Sequence, residues 1–197
     1  MTRASQSRFC RRVLQAALFL STVAILIANA NWADCLAQAD VITAEYNVKA
    51  AFLYKFPNYV EWPAQAFERP DSPLVIGIAG ADTLADQLVQ TVADRSVGGR
   101  PVMVRKLRRG EALAGVHMLF VGRDSVRPAE VLAAANGKPV LTVTESQDAF
   151  ALGSVINFVV MDDKVRFDVA LGPAELGNLK VSARLLTVAR KILAGSL

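Results

Sequence analysis

Apolar residues recur at every fourth position in the first strongly patterned stretch of the chain, which begins near Ala44. Val48, Phe52 and Phe56 therefore fall on one face of a helix. The polar residues Asn47, Lys49 and Lys55 fall on or near the other side. Pro57 lacks a backbone N–H and disfavours helical geometry at the preceding residue, so the helix should end or kink there. The pattern predicts an amphipathic helix whose aromatic face packs on a sheet.

A second apolar cluster follows this bend. It contains Tyr59, Val60 and Trp62, and Pro63 closes it. An amphipathic segment of this kind usually serves packing, so the aromatic residues are expected in the core. The alternative is that part of the aromatic set forms a partner-binding patch. The candidate residues for that patch are Phe56, Tyr59 and Trp62.

Strand and helix patterns alternate from Asp71 onward. Short apolar runs predict strands at 74–79, 101–107, 116–121 and 140–143. Helical patterns separate them at about 83–93 and 128–135, the first with Leu84, Leu88, Val89 and Val92 facing inward. This βαβ rhythm indicates a mostly parallel sheet with helices on both faces.

The last third of the chain departs from that rhythm. Strands at 155–161 and 165–169 are joined by a tight turn at Asp162-Asp163, which predicts an antiparallel hairpin. Phe167 should face the core, whereas Arg166 and Asp168 should face water. A final helix is predicted from Ser182 to about 193, with Leu185, Leu186, Val188, Ala189 and Ile192 facing inward. The predicted fold is therefore a single α/β domain with a mostly parallel sheet of about six strands, helices on both faces and a C-terminal antiparallel hairpin.

The N-terminal region has the three parts of a secretory signal peptide. Four arginines precede an apolar run from Val13 to Ala28, and small-x-small sites follow, ending at Ala30 and Ala39. Residues 1–39 are interpreted as a signal peptide with a short c-region, cleaved after Ala30 or Ala39. The run is short for a membrane span, although an uncleaved anchor remains the alternative. The folded domain is then 40–197, located in the periplasm.

Export changes the meaning of charge and cysteine content. The chain has 22 Lys+Arg and 18 Asp+Glu, but residues 1–39 contain four Arg and one Asp. The exported part is therefore nearly neutral, and its composition gives no reason to expect nucleic-acid binding. Cys10 and Cys35 are the only cysteines, and cleavage after Ala39 removes both, so no disulfide is expected.

Residues that could carry chemistry are few. His117 is the only histidine and lies in an apolar strand, where a packed core residue is expected rather than a base. The run Gly77–Gly80 lacks the spacing of a dinucleotide-binding loop. Asp162-Asp163 suits a turn better than a metal site. We therefore predict no catalytic site, no cofactor, no metal and no enzymatic activity.

Five blocks in order resemble the YfiR family over residues 44–193. The blocks are VKAAFLYKFPNYVEWP, LVIGIAG, HMLFVG, GSVINFVVMDDKVRFDVAL and LKVSARLLTVAR. The resemblance implies a periplasmic α/β protein that binds the periplasmic sensor domain of an inner-membrane diguanylate cyclase and restrains it, lowering cyclic di-GMP. It also implies a homodimer and relief of restraint by an OmpA-like outer-membrane lipoprotein.

This chain departs from the family pattern at two points. Ala170 stands where many relatives have Asn, and the mature domain lacks the cysteines that some members use. A disulfide-switched mechanism is therefore not carried over. Two other functions stay open: a module of the same family that serves another envelope receptor, such as a sensor kinase or a TonB-linked system, and a small-ligand binder. The latter would have its pocket at the carboxyl ends of strands 74–79 and 116–121.

Processing of the N-terminus is directly testable. The mass of the periplasmic form should correspond to a chain starting at Asn31 or Asp40, because signal peptidase cleaves after a small-x-small site. Intact-protein mass spectrometry of a periplasmic extract measures this. Recovery of a protein that keeps Met1 and fractionates with the inner membrane would contradict the predicted localisation.

Overall fold

A computed structural model describes residues 42–195 of the chain. The first helix, α1, covers 42–55, and a 3-10 turn from Phe56 to Tyr59 follows it directly. The predicted end of the helix at Pro57 is confirmed. The predicted signal peptide, with Cys10 and Cys35, lies outside the described residues.

Among the residues that the structure describes, ten strands follow α1. They are β1 (Val60–Glu61), β2 (Leu74–Ala79), β3 (Ser96–Val97), β4 (Arg100–Lys106), β5 (Met118–Val121), β6 (Leu141–Thr144), β7 (Ile156–Met161), β8 (Lys164–Ala170), β9 (Lys180–Val181) and β10 (Lys191–Leu193). Eight of them form one sheet in the order β10-β8-β7-β6-β5-β2-β4-β3, and β1 pairs with β9 separately. The six predicted strands are all present, and the short edge strands β3 and β10 extend the sheet to eight.

The large sheet is mixed but mostly parallel. Five of its strand pairs are parallel, and the β7–β8 and β3–β4 pairs are antiparallel. The predicted α/β class and the C-terminal hairpin are confirmed. At the hairpin tip, Asp162 and Asp163 adopt φ values of 50° and 56°, left-handed geometry that Asp tolerates in tight turns.

Helices cover both faces of the sheet. After α1 they are α2 (Asp82–Val92), α3 (Pro128–Ala135), α4 (Gln147–Ala151), α5 (Leu171–Leu176) and α6 (Ala183–Val188). Helices α1 and α2 pack into one hydrophobic cluster, and α3 packs into a second cluster formed by the alternate strand residues. None of the helices that the structure describes is long and apolar enough to cross a membrane.

Phenylalanines from α1 and the strands form the centre of the larger cluster. Phe52 and Phe56 lie over Phe158 and Phe167, with ring centroids 5.1–6.0 Å apart. Phe120 of β5 adjoins them, 6.2 Å from Phe158. These separations are in the range that favours edge-to-face and offset contacts. The predicted packing of an aromatic helix face on a sheet is therefore confirmed.

The predicted faces of the first two helices need correction. Val48 is 43% exposed, although its spacing placed it with Phe52 and Phe56, and Lys49 is fully buried, although it was placed on the polar side. In α2, Val89 is 45% exposed instead of facing inward. The inner face of α1 is rotated toward Ala50 and Leu53, because the buried position of Lys49 is stabilised by carboxylates that the local pattern does not reveal.

The predicted final helix is too long. Helix α6 ends at Val188, and residues 191–193 instead form the edge strand β10, parallel to β8. Arg190 explains the change, because its guanidinium binds both carboxylate oxygens of Asp168 and its N–H donates to Phe167 O at 2.8 Å. The prediction that Asp168 faces water is therefore wrong, since its side chain is 2% exposed in this ion pair. Val188 and Ile192, predicted to face inward, are exposed.

The two faces of β8 give a test of the fold. Phe167 is 2% exposed and Arg166 is exposed, as their alternation predicted. Phe167→Asp should abolish soluble folding, because an unpaired buried charge costs several kcal/mol. Arg166→Asp should leave the melting temperature nearly unchanged. Yield of soluble protein and thermal unfolding followed by circular dichroism measure both effects, and the reverse result would mean that the hairpin faces are misassigned.

Candidate partner-binding surface

The bend between α1 and β2 is fixed to the rest of the domain by backbone pairing. Strand β1 pairs antiparallel with β9, so that Val60 lies opposite Val181. The carbonyl oxygen of Tyr59 also accepts a hydrogen bond from the Ser182 N–H at 2.8 Å. The bend is therefore a defined surface feature and not a free connection.

The three sequence-predicted binding residues lie in different environments along this bend. Phe56 is 1% exposed and belongs to the phenylalanine cluster, so it is core and its ring is not available to a partner. Tyr59 is 36% exposed. Trp62 is half-buried, and its Nε1–H donates to His117 O at 3.3 Å. Partner binding stays a prediction for Tyr59 and Trp62.

His117 holds the loop that follows Trp62 against the sheet. Its Nδ1 accepts the Val75 N–H at 3.1 Å, so the ring proton must be on Nε2, which donates to Ala66 O at 3.1 Å. Phe67 stacks on the imidazole with centroids 4.2 Å apart. Burial is the largest influence on His117 and lowers its pKa, although the bond to Ala66 opposes the shift. The expectation of a packed histidine is met, and its role is to position the loop.

A groove of about 560 Å³ opens beside Trp62. Its walls include Pro57, Pro63, Phe67 and Arg100. The Arg100 guanidinium lies 3.8 Å from the Phe67 ring centroid and donates to two backbone carbonyls, Arg69 O at 3.0 Å and Ser72 O at 2.8 Å. This surface combines proline and aromatic walls with a fixed cation, which suits recognition of a peptide segment.

A buried ion cluster lies where β5 and β6 end, and sequence reasoning missed it. Lys49 Nζ donates to Glu145 at 2.5 Å and also to Glu45, one helical turn away on α1. Arg123 Nη2 approaches Glu45 at 3.2 Å and Glu145 at 3.4 Å, and the Arg123 backbone N–H donates to Glu145 at 2.8 Å. The available signal was the i,i+4 spacing of Glu45 and Lys49, which does not reveal burial.

The cluster is neutral in total, which explains how it can be buried. Lys49 and Glu145 side chains are each 1% exposed. Burial is the largest influence on Glu145 and would raise its pKa, but Lys49 and Arg123 outweigh it, and the pKa is lowered. Each acid is paired with a base, and no group of three or more potential ligands for a metal ion occurs among residues 42–195. The arrangement serves to attach α1 to the sheet.

The turns after β2 and β5 close the position where an open α/β sheet usually binds ligands. A Cβ on Gly122 would lie 2.2 Å from Gly80 O, and one on Gly80 would lie 2.3 Å from the Ser125 N atom. The two turns are therefore in backbone contact and leave no room for a ligand between them. A cavity lies instead beside this contact, on the α3 face.

A comparison with protein families finds a match to this chain. The family described as YfiR/HmsC-like matches residues 46–190, which include every element from most of α1 to α6. The chain therefore belongs to the YfiR/HmsC-like family, which indicates a regulatory role. A search of curated proteins returns no match.

Titration of His117 should make stability depend on pH. Its folded pKa lies below the ordinary value of 6.5, so its contribution to stability is present above pH 6.5 and is lost as the pH falls from there through the folded pKa. Protonated Nδ1 would face the Val75 N–H, another donor. The free energy of unfolding should fall between pH 7 and 5, by no more than about 1.4 kcal/mol per pH unit.

Denaturant unfolding of the wild type and of His117→Asn at pH 7 and at pH 5 measures this contribution. The variant should be less stable than the wild type at pH 7, and its free energy of unfolding should no longer fall between pH 6.5 and 5. Glu145 titrates separately, because its lowered pKa moves its loss of stabilisation below the ordinary value of 4.5. An unchanged pH dependence in His117→Asn would contradict the assignment.

Proposed function

We propose that this YfiR/HmsC-like protein is an exported, non-enzymatic regulator that restrains an inner-membrane diguanylate cyclase by binding its periplasmic domain, and so lowers cyclic di-GMP. The observation that carries the proposal is the family match over residues 46–190. The paired state of the buried ion cluster and the structural use of His117 fit a binding protein, since neither leaves a free general base next to a nucleophile.

The proposed mechanism is a shift in population. The protein can restrain the cyclase only if it binds the inactive arrangement of the periplasmic domain more tightly than the active one. The ratio of the two affinities then limits the degree of repression. An OmpA-like outer-membrane lipoprotein would relieve repression by competing for this protein.

The bend surface, formed by Tyr59, Trp62 and the adjoining groove, is the proposed contact with the cyclase. Tyr59 supplies an exposed aromatic ring, and Trp62 a ring already fixed by its bond to His117 O. Aromatic side chains that lose little freedom on binding are common sites of concentrated interface energy. Phe56 is left out of the proposed contact because it is core.

We propose that the homodimer forms along strand β10, an outer edge of the large sheet. Strand β10 is an edge strand, and the apolar side chains of Ile192 and Leu193 on it are 46% and 36% exposed. Val188 of α6 is 65% exposed nearby in the chain. An edge strand with exposed apolar side chains favours pairing with a second chain.

Two other functions remain as alternatives. The same surface could serve another envelope receptor, such as a sensor kinase or a TonB-linked system, and the genes beside this one would distinguish that case. A small-ligand function is favoured by a separate observation, the cavity on the α3 face. Ligand-dependent thermal shift tests it, because a ligand that binds only the folded state stabilises that state.

A clean deletion of the gene tests the cyclase proposal. Cyclic di-GMP should rise, with more surface attachment and less swimming, and the deletion should have no effect in a strain whose cyclase has an inactive catalytic site. Cyclic di-GMP is measured by mass spectrometry under conditions where the protein is detected by immunoblot. An unchanged level in the deletion strain would reject the cyclase and favour another receptor.

Substitution of Tyr59 tests the surface separately from the partner's identity. Tyr59→Ala should copy the deletion, because loss of an aromatic anchor costs about 2 kcal/mol, roughly a thirtyfold loss of affinity. Met103→Ala is the matched control, since Met103 is 55% exposed and does not line the groove. It lies beside Val75, which packs into the cluster on the other face of the sheet from Trp62. Both variants should melt like the wild type. Normal repression by a folded Tyr59→Ala protein would exclude this residue from the interface.

A further inference from the structure

A cavity of about 760 Å³ lies on the α3 face of the sheet, between helix α3 and the loop 107–115. Its apolar lining is supplied by both walls and the strands beneath: Leu107, Leu113, Val116, Val131 and Val140. Its volume is in the range of small-molecule sites in proteins, which are mostly apolar with a few polar groups.

The loop forms a built wall of this cavity. Arg105 holds it from below, donating to Ala112 O at 3.0 Å and Ala114 O at 3.1 Å. The Arg108 N–H donates to Glu111 at 2.9 Å. At the start of the loop, the Leu107 N–H donates to Ile78 O at 2.7 Å, so the first residue of the loop is still hydrogen-bonded to β2. These bonds fix the position of the loop as one wall of the cavity.

The charge on the cavity rim is unbalanced. Arg108, Arg109 and Lys138 line the cavity, are exposed and make no ion pair within residues 42–195. The neighbouring acids are largely neutralised, since Glu130 pairs with Arg127 and Glu111 lies 3.7 Å from Arg105. Asp124 is the remaining carboxylate on the rim. The free charge therefore favours an anion.

We propose that this cavity binds a small amphipathic carboxylate. The apolar chain of the ligand lies on the lining that includes Leu107 and Val131, and its carboxylate lies at the rim formed by Arg108, Arg109 and Lys138. The apolar lining and the cationic rim together favour a ligand that has both an apolar chain and a negative charge. An uncharged apolar molecule leaves the rim cations unpaired, and a small polar anion gains nothing from the apolar lining. An amphipathic cation would meet like charge at the rim.

The inference does not depend on the proposed cyclase partner. The cavity and the groove beside Trp62 share no lining residue, and Tyr59 lines neither. Failure of one proposal therefore leaves the other standing, provided that each is tested with variants of its own surface.

Isothermal titration calorimetry of the exported protein with decanoate, below its micelle concentration, tests the proposal. We expect saturable binding of one decanoate per chain. Acetate, which has the charge without the chain, should not bind. Decanol, which has the chain without the charge, should bind at least tenfold more weakly than decanoate.

Variants locate the site. Arg108→Ala with Arg109→Ala should weaken decanoate binding at least tenfold and leave decanol binding unchanged. Arg166→Ala is the matched control, because Arg166 is an exposed arginine on the distant hairpin. Tyr59→Ala should also bind decanoate normally. Melting curves check that each variant is folded, which the exposure of both rim arginines favours.

Four results would overturn the proposal. Three of them are absence of saturable decanoate binding to the wild type, equal affinity for decanoate and decanol, and equal loss of decanoate binding in the rim variant and in Arg166→Ala. Loss of binding in Tyr59→Ala would move the ligand to the bend surface and would equally reject the α3 cavity.

Discussion

The buried ammonium of Lys49 is the constraint on which the placement of the first helix depends. A buried charge must be compensated, and removal of one partner of such a pair typically costs about 3–5 kcal/mol. Lys49 finds Glu45 on its own helix and Glu145 after β6, while Arg123 after β5 completes the neutral set. Glu145 and Arg123 lie at the carboxyl ends of adjacent parallel strands. The ion pairs of Lys49 therefore fix both the rotation of α1 about its own axis and its position along the sheet.

That rotation decides what the aromatic residues do. With Lys49 turned inward, Phe52 and Phe56 lie over Phe158 and Phe167, and Val48 is left exposed. Helix α1 then ends at residue 55, and the chain leaves the 3-10 turn Phe56–Tyr59 with Tyr59 and Trp62 at the surface. The same sequence segment thus supplies core on one side of the proline and a candidate interface on the other.

The local sequence pattern predicts the fold correctly where the burial of a residue follows the periodicity of its helix or strand. It fails where a charged partner that is distant in sequence determines whether a residue is buried. The strands around Ile76, Phe120 and Phe167 follow from short apolar runs or strict alternation, because apolar burial needs no particular partner. The sequence pattern puts Lys49 and Asp168 in water because a single charged residue ordinarily belongs there, and their partners are 96 and 22 residues away in sequence. The strand at 191–193 was missed for the same reason, since Arg190 ends the helix by binding Asp168.

The short 3-10 turn Ala64–Ala66 is the element that the two candidate surfaces have in common. Ala64 lines the groove beside Trp62, whereas Gln65 and Ala66 line the cavity on the α3 face, and His117 holds the turn through Ala66 O. Proximity alone gives no coupling, because a ligand changes partner affinity only if it binds two arrangements of the turn differently. His117 restricts that freedom at neutral pH, since both ring nitrogens are engaged and the Trp62 indole is tied to the same residue. The two surfaces therefore meet at a turn that His117 holds through hydrogen bonds at both of its ring nitrogens.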